Sequence, residues 1–175
     1  MYIALFRGIN VGGKNILPMK DLARIFEGLG FEKVKTYIQS GNAVFLTKKD
    51  QTKMIAAEIS SNILKSHGFK PRVLLLGVSE LKDAIEKNPF KTANGKALHF
   101  FFLEASPIKP DLDALVNVKS PSEEFKLIKK IFYLYAPEGI GRSKLAAKVE
   151  QALGVSVTAR NWNTVSKLIA MSNQA

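Results

Sequence analysis

Two rounds of the same order of strand and helix segments constrain the fold more than any other feature of this sequence. In the first half, short runs of apolar and β-branched residues alternate with stretches in which apolar residues recur at helical spacing. Their order is β-α-β-β-α-β, which is that of a ferredoxin-like unit. The predicted elements are the strands Tyr2–Phe6, Val34–Gln39, Asn42–Leu46 and Arg72–Leu76 and the helices 18–29 and 50–66.

The second half repeats this order, and a further helix follows each half. The sequence therefore predicts an α+β fold that is a tandem duplication of two ferredoxin-like (βαββαβ) halves with antiparallel sheets, residues 1–91 and 92–175. The duplication is inferred from element order, because residue identity between the halves is not obvious. The predicted strands are Ala97–Leu103, Phe125–Lys129, Ile131–Tyr135 and Val155–Ala159, and the predicted helices are Pro110–Val116, Lys144–Leu153, Trp162–Ala170 and one with Ser79 as its N-cap.

The loop after the first strand, Arg7 to Asn15, combines three glycines, two cations and two amides in nine residues. Glycines let the backbone approach a ligand and expose its N–H groups, which favours an anion-binding loop. The spacing matches a phosphate-binding P-loop except at Asn15, where that motif needs a hydroxyl, and Pro18 delays the helix. A P-loop NTPase is therefore disfavoured. The predicted ligand-binding residues of this loop are Arg7, Asn10, Gly12, Gly13, Lys14 and Asn15.

A predicted hairpin turn supplies a second polar cluster, for which two interpretations stay open. In a ferredoxin-like fold the end of the first strand lies close to the start or the end of the second strand, depending on register, so the polar side chains here can join the first loop. Alternatively, Ser40-Gly41-Asn42 is simply a good turn, because Gly and Asn tolerate positive φ. The candidate ligand-binding residues here are Tyr37, Gln39, Ser40 and Asn42.

Two further clusters stand at predicted strand-to-helix junctions in the second half. Cations in the first turn of a helix oppose its dipole, so Arg142 and Lys144 make more sense beside a bound anion. Alternatively, Ser143 caps that helix and the cations point to water. The last cluster of candidate ligand-binding residues is Arg160, Asn161 and Trp162, in which Arg160 opposes the helix dipole in the same way and Trp162 can stack on a base or sugar. The alternatives are an asparagine N-cap and a tryptophan in the core.

The net charge of +11 favours anionic partners. No Asp or Glu occurs in residues 1–20, 33–49 or 151–175, so the basic stretches include most of these clusters. The alternative is a basic protein with solvated lysines. Cysteine is absent, which excludes thiol catalysis, disulfides and cysteine-ligated zinc.

No metal site, cofactor or reaction is indicated by the remaining residues. Carboxylate pairs are missing, and His99 lies inside an apolar strand, where a core role is the usual one. Arg7 interrupts the first apolar run, so a signal peptide is not expected. No apolar run is long enough to span a membrane, and we expect a cytoplasmic protein without membrane partners.

Three stretches together resemble a bacterial family, the domain of unknown function 1697. They are the run from Leu5 to Asn15, the run from Tyr37 to Asn42 and the run from Arg160 to Val165. The resemblance covers essentially the whole chain. It implies a cytoplasmic protein of two ferredoxin-like halves and no established activity.

Three functions follow from these observations as competing hypotheses. The first is a binding protein or enzyme acting on a phosphate-bearing small molecule or nucleotide, held in a composite basic site between the two halves. The second is a nucleic-acid-binding module, whose affinity would fall steeply with salt. The third is a structural or partner-binding protein without catalysis, in which the polar motifs serve the contact between halves.

Overall fold

The computed structural model describes residues 1–174, which form eight strands, six α-helices and one 3₁₀ turn. The strands are β1 (Tyr2–Arg7), β2 (Glu32–Tyr37), β3 (Asn42–Leu46), β4 (Arg72–Gly77), β5 (Leu98–Leu103), β6 (Glu124–Ile128), β7 (Ile131–Tyr135) and β8 (Val157–Asn161). The helices are α1 (Met19–Gly28), α2 (Thr52–His67), α3 (Val78–Glu86), α4 (Leu112–Val116), α5 (Lys144–Leu153) and α6 (Trp162–Asn173), and the 3₁₀ turn is Ile140–Arg142.

The strands form two four-stranded antiparallel sheets, with the orders β2-β3-β1-β4 and β6-β7-β5-β8. In each sheet the first strand along the chain is central and lies between the third and the fourth. The predicted α+β class with antiparallel sheets is therefore confirmed. The chain divides into two compact units, one of Met1–Asp83 with the chain from Lys167 on, and one of Ala84–Ser166.

The first unit has an aromatic core beneath its sheet. Helix α1 lies over β2, and helix α2 lies over β4. Their apolar faces are buried: Leu22 and Phe26 are four residues apart on α1, and Ile59 lies on the buried face of α2. Phe26 meets Phe45 edge to face, with ring centroids 5.0 Å apart. These contacts fix α1, and with it the loop that leads from β1 into that helix.

The second unit is built in the same way around β5 and β7. Its core packs α4 and α5 against the sheet through Phe132, Leu145 and Val149, all of which are fully buried. Tyr133 is also buried, and its Oη donates a hydrogen bond of 2.7 Å to the carbonyl oxygen of Ala84 near the end of α3. The last carbonyl groups of a helix have no partner within the helix, and this bond supplies one for Ala84.

Several predicted element boundaries are wrong, among them those of α3, β2 and β8. Helix α3 begins at Val78, so Ser79 lies inside it; the Glu80 carboxylate accepts a hydrogen bond from the Gly77 N–H group instead. Strand β2 ends at Tyr37, because Ile38 has a φ of 47° and leaves the extended conformation. Strand β8 begins two residues later than predicted and continues through Asn161.

Candidate functional site

The loop after β1 folds into a small β-hairpin, residues 10–15, which we call the N-terminal hairpin. The Lys14 N–H group donates a hydrogen bond of 3.0 Å to the Val11 carbonyl oxygen. In the next pair towards the base of the hairpin, the Asn10 N–H group donates to the Asn15 carbonyl oxygen, also at 3.0 Å. The residues at the tip, Gly12 and Gly13, have φ values of 57° and 73°. Positive φ at both central residues is the requirement of a type I′ turn, which joins twisted strands without splaying them.

The N-terminal hairpin projects into solvent. Val11 is 65% exposed and the neighbouring Ile16 is 54% exposed, although both are large aliphatic residues. A Cβ atom built on Gly12 or Gly13 would have no neighbouring heavy atom within 4 Å. The Lys14 side chain is exposed as well, and it makes no hydrogen bond or ion pair within residues 1–174. The loop is thus an open surface and not a cradle at a helix N-terminus, because α1 begins only at Met19.

Two amides that the sequence suggests as ligand contacts hold this loop in shape. Asn10 Oδ1 accepts a hydrogen bond from the Leu17 N–H group at 2.7 Å, and Asn10 Nδ2 donates to the Leu17 carbonyl oxygen at 2.9 Å. Asn15 Nδ2 donates to the Gly8 carbonyl oxygen at 2.8 Å. Both asparagines have positive φ, which asparagine tolerates better than most residues. Their side chains therefore fix the base of the N-terminal hairpin.

The turn between β2 and β3 is locked onto the same loop. Asn10 Nδ2 also donates to the Gln39 carbonyl oxygen at 2.8 Å, and the Phe6 N–H group donates to the Gly41 carbonyl oxygen at 2.9 Å. A Cβ atom on Gly41 would collide with Ile9 Cδ1 and lie 2.7 Å from Phe6 Cβ. Only glycine fits there, so the two loops form one rigid corner of the first unit.

The buried asparagine of this turn also has a structural role. Asn42 is fully buried, and its Nδ2 atom donates to the Tyr37 carbonyl oxygen at 3.0 Å and to Ser40 Oγ at 3.3 Å. Gln39 and Ser40 are exposed in the turn, so Gln39 lies outside the strand predicted for it. The turn interpretation of Ser40-Gly41-Asn42 therefore accounts for Gly41 and Asn42, whereas Gln39 and Ser40 still face solvent.

The structure adds a cation that the sequence motifs do not contain. In the antiparallel pairing of β1 with β4, Arg7 lies directly opposite Arg72, and both residues are exposed. Side chains of directly opposite residues start about 4.5–5.5 Å apart at their Cβ atoms. The end of the first sheet that carries the N-terminal hairpin thus has two exposed arginines at directly opposite strand positions. No local pattern around Arg72 signals this, because it depends on the register between strands far apart in sequence.

In the second unit, the serine between Arg142 and Lys144 caps a helix, as the alternative interpretation of that cluster proposed. Ser143 Oγ accepts a hydrogen bond of 2.9 Å from the Ala146 N–H group and caps α5. Arg142 and Lys144 on either side of it are exposed. The cap explains why α5 begins here, and it leaves the two cations at the surface.

The fourth cluster belongs to a strand and a helix cap. Arg160 pairs with Phe100 within the sheet, and its Nη1 atom donates to the Ala159 carbonyl oxygen at 2.8 Å. Burial lowers the pKa of Arg160 to about 10, so its guanidinium stays charged at neutral pH. Asn161 Oδ1 accepts a hydrogen bond of 3.0 Å from the Thr164 N–H group and caps α6. Trp162 stacks on Phe100 with ring centroids 5.9 Å apart, as expected for the core alternative.

The ionisable groups with shifted pKa values belong to the second unit. Burial lowers the pKa of His99, and the hydrogen bond between its Nδ1 atom and the Ala97 carbonyl oxygen offsets only part of that shift. Burial raises the pKa of Tyr133 to about 12. Within residues 1–174, no three His, Cys, Asp or Glu residues are close enough to hold a metal ion together. None of the helices in that range is both long and apolar enough to cross a bilayer.

A family model described as "Protein of unknown function (DUF1697)" matches residues 1–133. The chain belongs to the DUF1697 family. The resemblance to this family is thereby confirmed. The runs from Leu5 to Asn15 and from Tyr37 to Asn42 lie inside the matched residues, whereas the run from Arg160 to Val165 lies beyond them. A solved structure described as a conserved bacterial protein from Streptococcus pneumoniae is 26% identical, with a TM-score of 0.69 over 98% of this chain and 97% of that one. No curated protein matches the chain.

The extent of the DUF1697 match separates the predicted clusters into two groups. Residues 1–133 include the N-terminal hairpin, the turn after β2 and Arg72. The two clusters of the second unit, at 142–144 and 160–162, lie beyond the matched residues. The basic corner of the first unit is thus the candidate site that falls inside the DUF1697 match.

Proposed function

We propose that this protein binds a phosphate-bearing ligand at the end of the first sheet where β1 stops and β4 begins. The observation that carries the proposal is the cross-strand pair of Arg7 and Arg72. Like charges directly opposite each other in a sheet destabilise it, and a bound anion reverses the sign of that interaction. Guanidinium groups also match the geometry of phosphate oxygens, because each can donate two parallel hydrogen bonds.

The surroundings of this pair support an anionic ligand. Two segments that pair beside these arginines, residues 1–20 and 33–49, contain no Asp or Glu. Lys14 adds a third cation in the N-terminal hairpin. The N–H groups of Gly12 and Gly13 have no acceptor within residues 1–174, so they can donate to an anion.

The binding is electrostatic, and we assign no reaction to it. The corner has no nucleophile or general base of shifted pKa among its described side chains, since His99, Tyr133 and Arg160 all lie in the second unit. Ligand contacts of Arg142, Lys144 and Arg160 stay predictions, as does the cytoplasmic location.

The experiment is a thermal-shift comparison with pyrophosphate, ATP and short oligonucleotides, each measured against chloride at the same ionic strength. A compound present at a hundred times its Kd adds about 2.7 kcal/mol to the free energy of unfolding. For a chain of this size, that is a rise in Tm of about 5–10 °C. The double variant Arg7→Gln/Arg72→Gln removes both guanidinium groups, and we expect the shift to disappear.

A matched control is Lys148→Gln, which removes a cation from an exposed position on α5 of the second unit. It should keep the shift of the wild type. Absence of a shift with every phosphate compound would overturn the proposal, and so would equal shifts in the double variant and the wild type. If the double variant instead melts well below the wild type without any ligand, the structural hypothesis is favoured.

We also infer that the chain arose by duplication of a ferredoxin-like half, with the two halves at residues 1–91 and 92–175. The inference is supported by the equivalent strand orders, in which the first strand of each half lies between the third and the fourth. A βαββαβ order read twice along the chain agrees with it. An experiment that tests the division is separate expression of residues 1–91, which should give a cooperatively unfolding domain if the first half is independent.

A further inference from the structure

The N-terminal hairpin carries two features that phosphate binding does not use. Its tip consists of two glycines without side chains, and exposed aliphatic side chains, Val11 and Ile16, stand beside it. The hairpin thus has Val11 and Lys14 paired beside its narrow tip, and the exposed Ile16 follows its last residue. Neither a core role nor a small anion requires this combination.

We propose that the N-terminal hairpin enters the major groove of duplex DNA while Arg7 and Arg72 bind the phosphates beside it. This inference rests on the proposed phosphate binding, and it names the phosphate-bearing ligand as a DNA duplex. The net charge of +11 provides the general attraction to a polyanion.

The dimensions of the hairpin fit the major groove. Paired strands lie about 4.7–4.9 Å apart, and the two residues on each side of the turn extend about 7 Å. The major groove of B-DNA is about 12 Å wide and about 8.5 Å deep and admits a two-stranded ribbon, whereas the minor groove is only about 6 Å wide. The major groove of an RNA duplex is deep and narrow, so it excludes the ribbon. The geometry therefore distinguishes the two kinds of duplex.

The chemistry of the hairpin fits the same groove. Val11 and Ile16 can contact the methyl groups of thymine, which face the major groove, and Lys14 can donate to acceptors on guanine or to a phosphate. The side chains of Asn10 and Asn15 hold the base of the ribbon, so little order has to be gained on binding.

The test is fluorescence anisotropy with a labelled 20-base-pair DNA duplex and an RNA duplex of the same sequence. We expect the wild-type protein to bind the DNA duplex at least tenfold more tightly than the RNA duplex. The variant Val11→Ser/Ile16→Ser should lose at least tenfold in affinity for DNA and keep its affinity for RNA. Ile108→Ser is the matched control, because Ile108 is a fully exposed aliphatic residue of the second unit.

The salt dependence separates the two contributions. Losing two phosphate contacts in Arg7→Gln/Arg72→Gln should reduce the slope of log K against log salt by about 1.8. The variant Val11→Ser/Ile16→Ser should keep the slope of the wild type. Equal affinity of the wild type for DNA and RNA duplexes overturns the groove inference, and this comparison needs no variant to fold. If ATP or RNA binds without a preference for DNA, the groove inference fails and the phosphate proposal stands; if no phosphate compound binds, both fail.

Discussion

Asn10 and Gln39 are joined across two loops, with Asn10 Nδ2 lying 2.8 Å from the Gln39 carbonyl oxygen. The same side chain makes a paired hydrogen bond with the backbone of Leu17. One asparagine thus holds together the start of the N-terminal hairpin, its return to α1 and the turn after β2. The basic corner is held rigid by a side chain that the sequence pattern assigned to ligand binding.

Replacing Asn10 with alanine should therefore destabilise the first unit. Asn10→Ala removes three hydrogen bonds to the backbone of Leu17 and Gln39 and puts an alanine at a φ of 54°, so we expect a loss of about 2–3 kcal/mol in the free energy of unfolding. Urea unfolding measures this loss. Gln151→Ala, at an exposed amide position on α5, is the control and should change the stability by less than about 0.5 kcal/mol. Equal effects of the two variants would contradict the bracing role of Asn10.

Alanine substitutions at two glycines of positive φ, Gly41 and Gly68, should distinguish the cost of backbone strain from that of steric collision. Gly68 ends α2 at a φ of 76° with open space around it, and Gly68→Ala should cost about 1 kcal/mol. Gly41 has a similar φ of 80° but faces Ile9 and Phe6, so Gly41→Ala should cost about 3 kcal/mol. The two variants are compared by urea unfolding. A cost for Gly41→Ala no greater than for Gly68→Ala would show that the two loops are not packed so closely.

The hydroxyl group of Tyr133 should stabilise the end of α3. Tyr133→Phe removes the donor to the Ala84 carbonyl oxygen, and we expect a loss of about 1–2 kcal/mol. Tyr135→Phe is the matched control, because Tyr135 lies on the same strand and makes no side-chain hydrogen bond within residues 1–174. Hydrogen exchange of the α3 amides provides a second measurement, since these amides should lose protection only in Tyr133→Phe.

The buried histidine predicts a dependence of stability on pH. The pKa of His99 in the folded protein lies below the ordinary value of 6.5, so the unfolded chain binds a proton more readily. The free energy of unfolding is therefore unaffected by His99 above pH 6.5, and it decreases as the pH falls below that value. Unfolding by urea at pH 7.5 and at pH 5.5 should show a decrease that is smaller in His99→Gln, which does not titrate. An identical decrease in both proteins would exclude His99 as its source.

Much of the local structure could be predicted because it depends on neighbouring residues. The bounds of β7 and α5 agree with prediction, since a continuous run of aliphatic and aromatic residues marks β7 and helical periodicity with a serine cap marks α5. Strand β8 was displaced in the prediction because Arg160 and Asn161 are polar, and sheet pairing overrode their weak preference for strands. The family could also be recognised, because its signature stretches keep their residues in order along the chain.

The candidate site could be predicted only in part. Local composition located the glycines and cations of the N-terminal hairpin correctly at a surface. It could not show that Asn10, Asn15 and Asn42 use their amides within the protein, because their hydrogen-bond partners depend on how the loops fold. A sequence motif does not distinguish a polar side chain that is free to bind a ligand from one that is hydrogen-bonded within the protein.

The sequence by itself determined the order of the elements, the excess of positive charge and the acid-free stretches at the start of the chain. These properties depend on composition and on contacts between residues close in sequence. Only the tertiary structure decided that Arg7 lies opposite Arg72, that the two loops lock at Gly41 and that Val11 and Ile16 stay exposed. The physical reason is that strand register and loop packing bring together residues far apart along the chain, and the local pattern around each residue carries no record of its partner.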